Sequence, residues 1–394
     1  MNSVRFGIDQ LLTAPPWSPG RRYGLVTNAA ARWSQAPPRS SREALQSAGF
    51  NLVRLFSPEH GLDANAADGA AIADGHDPLT GLPVVSLYGD QLRPPRASLA
   101  DLEAVLLDLP DIGTRFYTYI WTLSHVLEAC ADAGVPLVVL DRPNPLGGDL
   151  ATAEGPMLDA ERHASFLGRA ALPICHALTM GELARLWNSE WNRRAQLEVI
   201  PCAGWHRSMR WPATGLPFVP TSPAMPSYES ARLYPGLGLF EATNLSVGRG
   251  TAQPFQVLGA PWLRAPTLVA HFKAHAMPGL TLEAFDFTPT QNPFANARCA
   301  GVRLRVTQDA HVRPVAAGLR LLSAIINSHR AEFQWVTYPT TANPSGAGHF
   351  EKLIGRAGIR EMLPTGPDHL EEQIRAWTDV TGWAERVQPH LLYT

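Results

Sequence analysis

Residues 56–84, FSPEHGLDANAADGAAIADGHDPLTGLPV, gather Glu59, His60, Asp63, Asp68, Asp74, His76 and Asp77 into one glycine- and alanine-rich segment between two apolar runs. Carboxylates and imidazoles are the groups that move protons near neutral pH. The segment is too small and polar to pack as a core helix, so it is either a solvated loop or the lining of a site. Glu59 is the leading candidate acid or base, because Pro58 and Gly61 would hold a tight turn around it. His60 could orient Glu59 or cap the loop.

Further candidates recur along the chain. DLPDIGTRFYTY carries Asp108, Asp111, Arg115, Tyr117 and Tyr119, and DRPNP carries Asp141, Arg142 and Asn144. Structural alternatives exist for several: helix capping for Asp108 and Asp111, an ion pair for Asp141 with Arg142, and a turn for Asn144. His176, just before a helix opened by the capping box Thr179 and Glu182, reads as a ligand contact or a satisfied loop histidine. In LFEATNLSVGRGTAQPF, Glu241, Asn244 and Arg249 lie beside Gly248 and Gly250, which allow close backbone approach. GRGT lacks the lysine and the spacing of a phosphate-binding P-loop, so it reads as a loop contacting some other ligand.

The elements that must position these groups come from short apolar runs. RYGLVTN, NLVRLFS, PVVSLYG, AVLLDLP and VPLVVLDRP predict strands buried on both faces, as in a parallel sheet covered by helices. SREALQSAG predicts a crossover helix ended by Gly49. TRFYTYIWTLSHVLEACADAG predicts a long helix with Phe116, Ile120, Leu123, Leu127 and Cys130 on its apolar stripe, Arg115 and Thr118 on a more polar face, and Gly134 as its stop. Each polar cluster of the first half follows a predicted strand, at the sheet edge where open α/β folds bind ligands. After residue 150 the texture changes to loops rich in proline and tryptophan, a strand at CAGVRLRVT, and helices at PVAAGLRLLSAIINSHR and DHLEEQIRAWTDV. The expected architecture is α/β: a Rossmann-like parallel-sheet domain over 1–150 and a smaller-sheet α+β domain over 151–394. No GxGxxG follows the first strand, which disfavours a dinucleotide.

Composition narrows the class. A chain of 394 residues with 45% hydrophobic and 17% charged residues can bury a large core, and a net charge of −2 offers nothing to nucleic acid. No run reaches the roughly 18 consecutive apolar residues of a membrane span. The N-terminus lacks the apolar core of a signal peptide, so the expected location is cytoplasmic unless an export signal has been removed. Cys130, Cys175, Cys202 and Cys299 are widely spaced and read as free thiols, not a zinc site. No metal or cofactor is expected.

In order along the chain, FSPEHG, TGLPVVSLYG, DIGTRFYTYIWTL, VVLDRPNPLGG, EGPML, SFLGR, LTMGELA, YPGLGLFEATNLSVGRGT and the terminal HLLYT resemble the NamZ-type exo-β-N-acetylmuramidases, glycoside hydrolase family 171. The resemblance spans the chain. It implies removal of β-1,4-linked N-acetylmuramic acid from the non-reducing ends of peptidoglycan fragments, in a cleft between two domains. Three places depart from the family pattern: Pro110 stands where glutamine is expected, HALT replaces HGMT, and Ala224 in SPAMP replaces asparagine. The resemblance makes Glu59 the leading catalytic residue and does not assign the second group; His60, Asp111 and Glu241 are the further catalytic candidates among the residues already named.

Glycoside cleavage needs a proton donor for the leaving oxygen and a base, nucleophile or substrate acetamide on the other face. The lactyl carboxylate of the sugar calls for a cation, preferably a forked arginine. Arg249 and Arg142 are the leading choices, with Arg115 also available, and Tyr117, Tyr119 and Trp121 could face the sugar ring. Two rival classes use the same residues: a metal-dependent hydrolase built on residues 59–77, although no HExxH-like spacing is present, and a non-catalytic sugar-binding protein.

Overall fold

The computed structural model of the chain describes residues 3–275 and 277–394. Seven strands form the main sheet: β1 Tyr23–Thr27, β2 Leu52–Ser57, β3 Gly75–His76, β4 Pro83–Ser86, β5 Ala104–Asp108, β6 Leu137–Leu140 and β7 Leu197–Ile200. Their order is β3-β4-β2-β1-β5-β6-β7. Every neighbouring pair is parallel except β3 with β4, where two exposed residues make an antiparallel edge. The five predicted strands are β1, β2, β4, β5 and β6. Every residue of β1, β5 and β6 is buried, which is why their sequences are continuously apolar rather than alternating.

The order reverses at β1, which has β2 on one side and β5 on the other. The crevice outside the carboxyl ends of these strands is where such sheets hold ligands. The segments after β2, β5 and β6 all open there. The boundary expected near residue 150 does not coincide with an edge of this sheet. β7, at 197–200, pairs with β6, and the Met180–Glu190 helix packs against both.

A second sheet, β8 Val257–Ala260, β9 Leu280–Ala284 and β10 Ala300–Val306, is antiparallel with order β8-β10-β9. The predicted helices at Ser41–Ser47, Pro314–Ser328 and Pro367–Thr378 are present. All four cysteines are free and buried. No helix among the described residues is long and apolar enough to cross a membrane.

The long helix differs from expectation at its start. It runs Tyr119–Ala133 and ends at Gly134 in the left-handed conformation, but residues 114–118 lie outside it. Thr114 bridges Cys175, the Arg115 N–H donates to the Ile174 carbonyl, and the Tyr117 N–H returns to the Thr114 carbonyl (3.0 Å), so this stretch is committed to a bridge and a turn before the helix can begin. Arg115 is therefore not on a polar helix face. It is fully buried, and its guanidinium donates to the carbonyls of Pro156 (2.6 Å), Leu172 (2.9 Å) and Leu353 (2.7 Å), pinning three distant segments.

Arg115→Met leaves those three carbonyls without their charged donor. A loss of about 3–5 kcal/mol is expected, read as a lower midpoint in chemical unfolding. An unchanged midpoint with a raised KM would instead place Arg115 at the substrate.

Candidate active site

The turn after β2 forms as its residues dictate. The Gly61 N–H donates to the Pro58 carbonyl (3.0 Å), and His60 and Gly61 both take positive φ. This aims the Glu59 side chain into a cleft with His60, Asp68, Tyr117, Thr118, Glu241, Arg249, Tyr338 and His349 on its walls. The cleft is narrow, with a free volume of about 40 Å³, and Phe166, Leu167 and Phe255 contribute apolar wall.

Glu59 is 5% exposed. Its Oε1 accepts the Gly69 N–H (3.0 Å) and its Oε2 accepts the Thr118 hydroxyl (2.6 Å). Gly69 is required there: its φ is +67°, and a Cβ would stand 2.7 Å from Thr340 Cβ. Beneath, the Tyr119 hydroxyl contacts the Glu59 carbonyl (3.4 Å), donates to the Thr221 carbonyl (2.7 Å) and accepts from Asn28 Nδ2 (3.0 Å). Burial, and then the negative charge of Asp68, raise the Glu59 carboxyl above its ordinary value. His60 and the two hydrogen bonds act in the opposite direction without reversing it.

Asp68 has the opposite character. The residue is exposed at the cleft wall; partial desolvation works against its charge, but Arg249, the Tyr338 hydroxyl and the two histidines outweigh it and hold its carboxyl below the usual range. Tyr338 donates to Oδ2 (2.7 Å), and Arg249 Nη2 lies 3.5 Å away. Arg249 in turn donates to Glu241 Oε1 from Nε (2.7 Å), with Nη2 in ion-pair contact at 2.5 Å and its guanidinium over the Phe255 ring at 5.2 Å. Among the described residues, Arg249 Nη1 makes no hydrogen bond. Burial and the Asp68 charge push Glu241 up to about 7 even against its arginine. The pocket thus sets a carboxyl that favours its proton beside one that favours its charge, the arrangement that separates an acid from an anion.

Ligand atoms of Glu59, His60 and Asp68 lie within 4.8 Å of one another, close enough to converge on a cation. Both carboxylates already accept donors, while His60 keeps Nε2 as an available acceptor. Glu59 accepts two donors, Asp68 accepts Tyr338 beside Arg249, and His60 Nδ1 donates to the Ala66 carbonyl (2.9 Å). The donors on both carboxylates and the Arg249 guanidinium beside Asp68 favour anions over a cation at this point.

The sequence candidates divide into three groups. Glu59, His60, Tyr117, Glu241 and Arg249 meet in this cleft, with Tyr119 as its floor. Asp111 and Arg142 line a different groove, and His176 lies behind Asp111 with Nε2 3.4 Å from its Oδ2. The rest are structural. Asp141 does not pair with Arg142; it accepts from the Thr179 hydroxyl (2.7 Å), the Gly181 N–H (2.8 Å) and the Tyr393 hydroxyl (2.6 Å). Arg142 pairs instead with Asp108 (2.5 Å), so Asp108 does not cap the helix. Asn144 closes its own turn onto Leu146 and Leu178, and Asn244 joins Glu332 and Gln334. Trp121 is core, stacked on Trp187 at 5.3 Å. Gly250 gives way to Thr290 of this chain, 2.0 Å from where a Cβ would stand, so its smallness serves packing.

Asp68, Thr118, Tyr338 and His349 are the cleft residues that sequence reasoning did not select. Asp68 stood in the acidic segment with no spacing to single it out. Tyr338, in a loop, and His349, at the start of the short His349–Ile354 helix, lie far along the chain and only the fold brings them over.

A family model described as Exo-beta-N-acetylmuramidase NamZ, N-terminal, matches residues 23–229, and its C-terminal counterpart matches residues 232–393. The chain belongs to this family. It is 39% identical over 367 residues to the peptidoglycan β-N-acetylmuramidase NamZ of Bacillus subtilis (strain 168), covering 92% of this chain and 85% of that protein. Two DUF1343 family proteins from Bacteroides fragilis NCTC 9343 share the fold, with TM-scores of 0.85 and 0.75. Each is 28% identical, with 100% of this chain and 99% of that chain covered. The two family segments meet between residues 229 and 232, beyond β7.

Asp68→Asn removes the negative charge that disfavours ionised Glu59, so the Glu59 pKa should fall. A titration of the Glu59 carboxyl carbon by NMR measures it directly; a pKa unmoved or raised would refute the electrostatic account of this pair.

Proposed function

We propose that the chain is an exo-acting glycoside hydrolase that releases β-1,4-linked N-acetylmuramic acid from the non-reducing ends of peptidoglycan fragments. The observation that carries this reading is the buried Glu59, biased towards its protonated form, within 4.8 Å of an Asp68 biased towards its charge. Family membership supplies the substrate class.

In this reading Glu59 gives its proton to the glycosidic oxygen as the bond to the anomeric carbon breaks. Asp68, kept ionised by Arg249 and Tyr338, faces the positive charge that develops on the sugar. Inverting enzymes separate their carboxyl groups by about 6.5–9.5 Å to admit a water between them. The closer approach here supports retention of configuration: Asp68 or the substrate acetamide bonds to the anomeric carbon as the leaving group departs, and Glu59, now the base, activates the water that displaces it. The walled cleft favours a terminal sugar over a passing chain.

Arg249 is the cation best placed for the lactyl carboxylate, through its free Nη1. Arg142 is spent on Asp108 in another groove, and Arg115 is sealed among carbonyls. Glu241 competes for Arg249 when ionised. As pH rises through the raised Glu241 value of about 7, its carboxylate offsets the guanidinium charge and repels the substrate's. KM for the muramyl substrate should therefore increase above neutral pH.

The direct test is incubation with the disaccharide MurNAc–GlcNAc and with an analogue lacking the lactyl group, after exhaustive chelation. Cleavage of the first, at least about tenfold slower cleavage of the second, and a product of retained β configuration by NMR are expected. Equal cleavage of both, or activity abolished by chelation and restored by a metal, contradicts the reading. Arg249→Lys keeps the charge but loses the fork, and is expected to cost about 1.5–3 kcal/mol in kcat/KM for the lactyl-bearing substrate alone.

A further inference from the structure

β2 and β4 run parallel in the register Leu55↔Val84, Phe56↔Val85, Ser57↔Ser86, and the Leu87 N–H continues the ladder onto the Ser57 carbonyl (2.8 Å). Extended two residues past its last pair, this register sets Tyr88 beside Glu59, on chains about 4.8 Å apart. The backbone of Tyr88 is fixed there. The Ser86 hydroxyl donates to the Tyr88 carbonyl (3.0 Å) and accepts the Tyr88 N–H (3.2 Å), and the Ile72 N–H donates to the same carbonyl (3.1 Å).

The Tyr88 ring is buried, and its hydroxyl lies beside the Glu59 carboxyl and the Thr340 hydroxyl without a formed hydrogen bond to any described residue. A buried hydroxyl left without a partner is costly and rare. Here the partner is at hand, but its strength depends on its charge. A protonated carboxyl is a weak acceptor, whereas an ionised one keeps lone pairs to spare after those taken by the Gly69 N–H and the Thr118 hydroxyl. Burial and the Glu59 charge push the Tyr88 phenol well up, so it keeps its proton and meets the carboxylate as a donor.

We propose that Tyr88 is a positioning residue for the catalytic carboxyl, its hydroxyl closing onto Glu59 once the carboxyl has given up its proton. The inference rests on the reading of Glu59 as the acid. The Glu59 proton goes to the glycosidic oxygen, and the Tyr88 O–H turns to the carboxylate without leaving Tyr88. That bond holds Glu59 in place as the base; when Glu59 takes a proton back from water, the contact is released. The other groups facing Glu59 are engaged elsewhere. His60 favours the anion through its charge, with Nδ1 donating to the Ala66 carbonyl, while Asp68 repels it. Tyr117 and Tyr119 donate to Thr221, and Tyr338 donates to Asp68. Across the cleft, Arg249 faces Asp68 and Glu241, and burial pushes His349 down to about 4, leaving it neutral.

The test is an NMR titration of the Glu59 carboxyl carbon in the full chain and in Tyr88→Phe, with the resonance assigned through Glu59→Gln. Phenylalanine keeps the ring and removes the donor, so the anion loses a charge-assisted hydrogen bond. Glu59 is then expected to titrate about one pH unit higher, a roughly tenfold gain in proton affinity. The alkaline limb of kcat on MurNAc–GlcNAc, where Glu59 must stay protonated, should move up with it. The limb is read in kcat because Glu241 acts on KM. Replacing Tyr88 by 3-fluorotyrosine keeps the hydroxyl and makes it a stronger donor, so the titration should move down; this variant decides the matter if Tyr88→Phe does not fold. A Glu59 titration unmoved by the substitution, or a kcat lowered equally at every pH with its limbs in place, overturns the proposal. The titration needs no turnover. An unmodified chain that leaves MurNAc–GlcNAc intact would therefore sink the glycosidase reading, while the titration still decides the Tyr88 contact.

Discussion

A buried carboxyl at the end of β2 has to be kept protonated and correctly aimed, and much of the surrounding structure follows from that constraint. Glu59 sits beyond the last residue of a fully enclosed strand end, where the loss of water disfavours its charge. The turn at His60 and Gly61, the N–H of Gly69 and the hydroxyl of Thr118 fix its direction, while Tyr119 supports its own carbonyl. Hydrogen bonds to the carboxyl also stabilise the anion, so the raised proton affinity depends on burial and Asp68 outweighing them.

Asp68 can play that part only because the second half of the chain reaches over. Arg249 and Tyr338 secure its charge, and Arg249 is in turn held by Glu241 and by the ring of Phe255. Gly69, next in sequence, carries the other half of the contact: Thr341 returns a hydroxyl and an N–H to its carbonyl. The acidic segment is thus clamped between the sheet edge and the loop at 338–349. Displacing that loop would release Asp68 and alter Glu59 together.

The sequence made the parallel sheet legible because strands buried on both faces are written as uninterrupted apolar runs. β7 escaped because only one of its four residues is fully buried, which leaves LEVI without such a run. Glu59 was legible through its turn chemistry, and Glu241 and Arg249 through a dense motif. Arg115 and Asp141 illustrate the opposite case. Both stand in polar motifs at strand ends, yet their partners are backbone groups and the C-terminal Tyr393, contacts that depend on the fold and leave no spacing to read. Asp68 was one acid among several, and what distinguishes it, an arginine and a tyrosine about 180 and 270 residues away along the chain, exists only in three dimensions.

The central claim is that Glu59 transfers a proton to the leaving oxygen. It is tested most directly by comparing Glu59→Gln with the unmodified chain on the natural disaccharide and on a β-MurNAc glycoside whose leaving group needs no protonation. Glutamine keeps the shape and removes the transferable proton, so kcat on the disaccharide should fall by about 10²–10⁴-fold while the bond-breaking step for the activated glycoside is much less affected. Near-normal turnover of the disaccharide by the variant would contradict the account and move the role to another carboxyl.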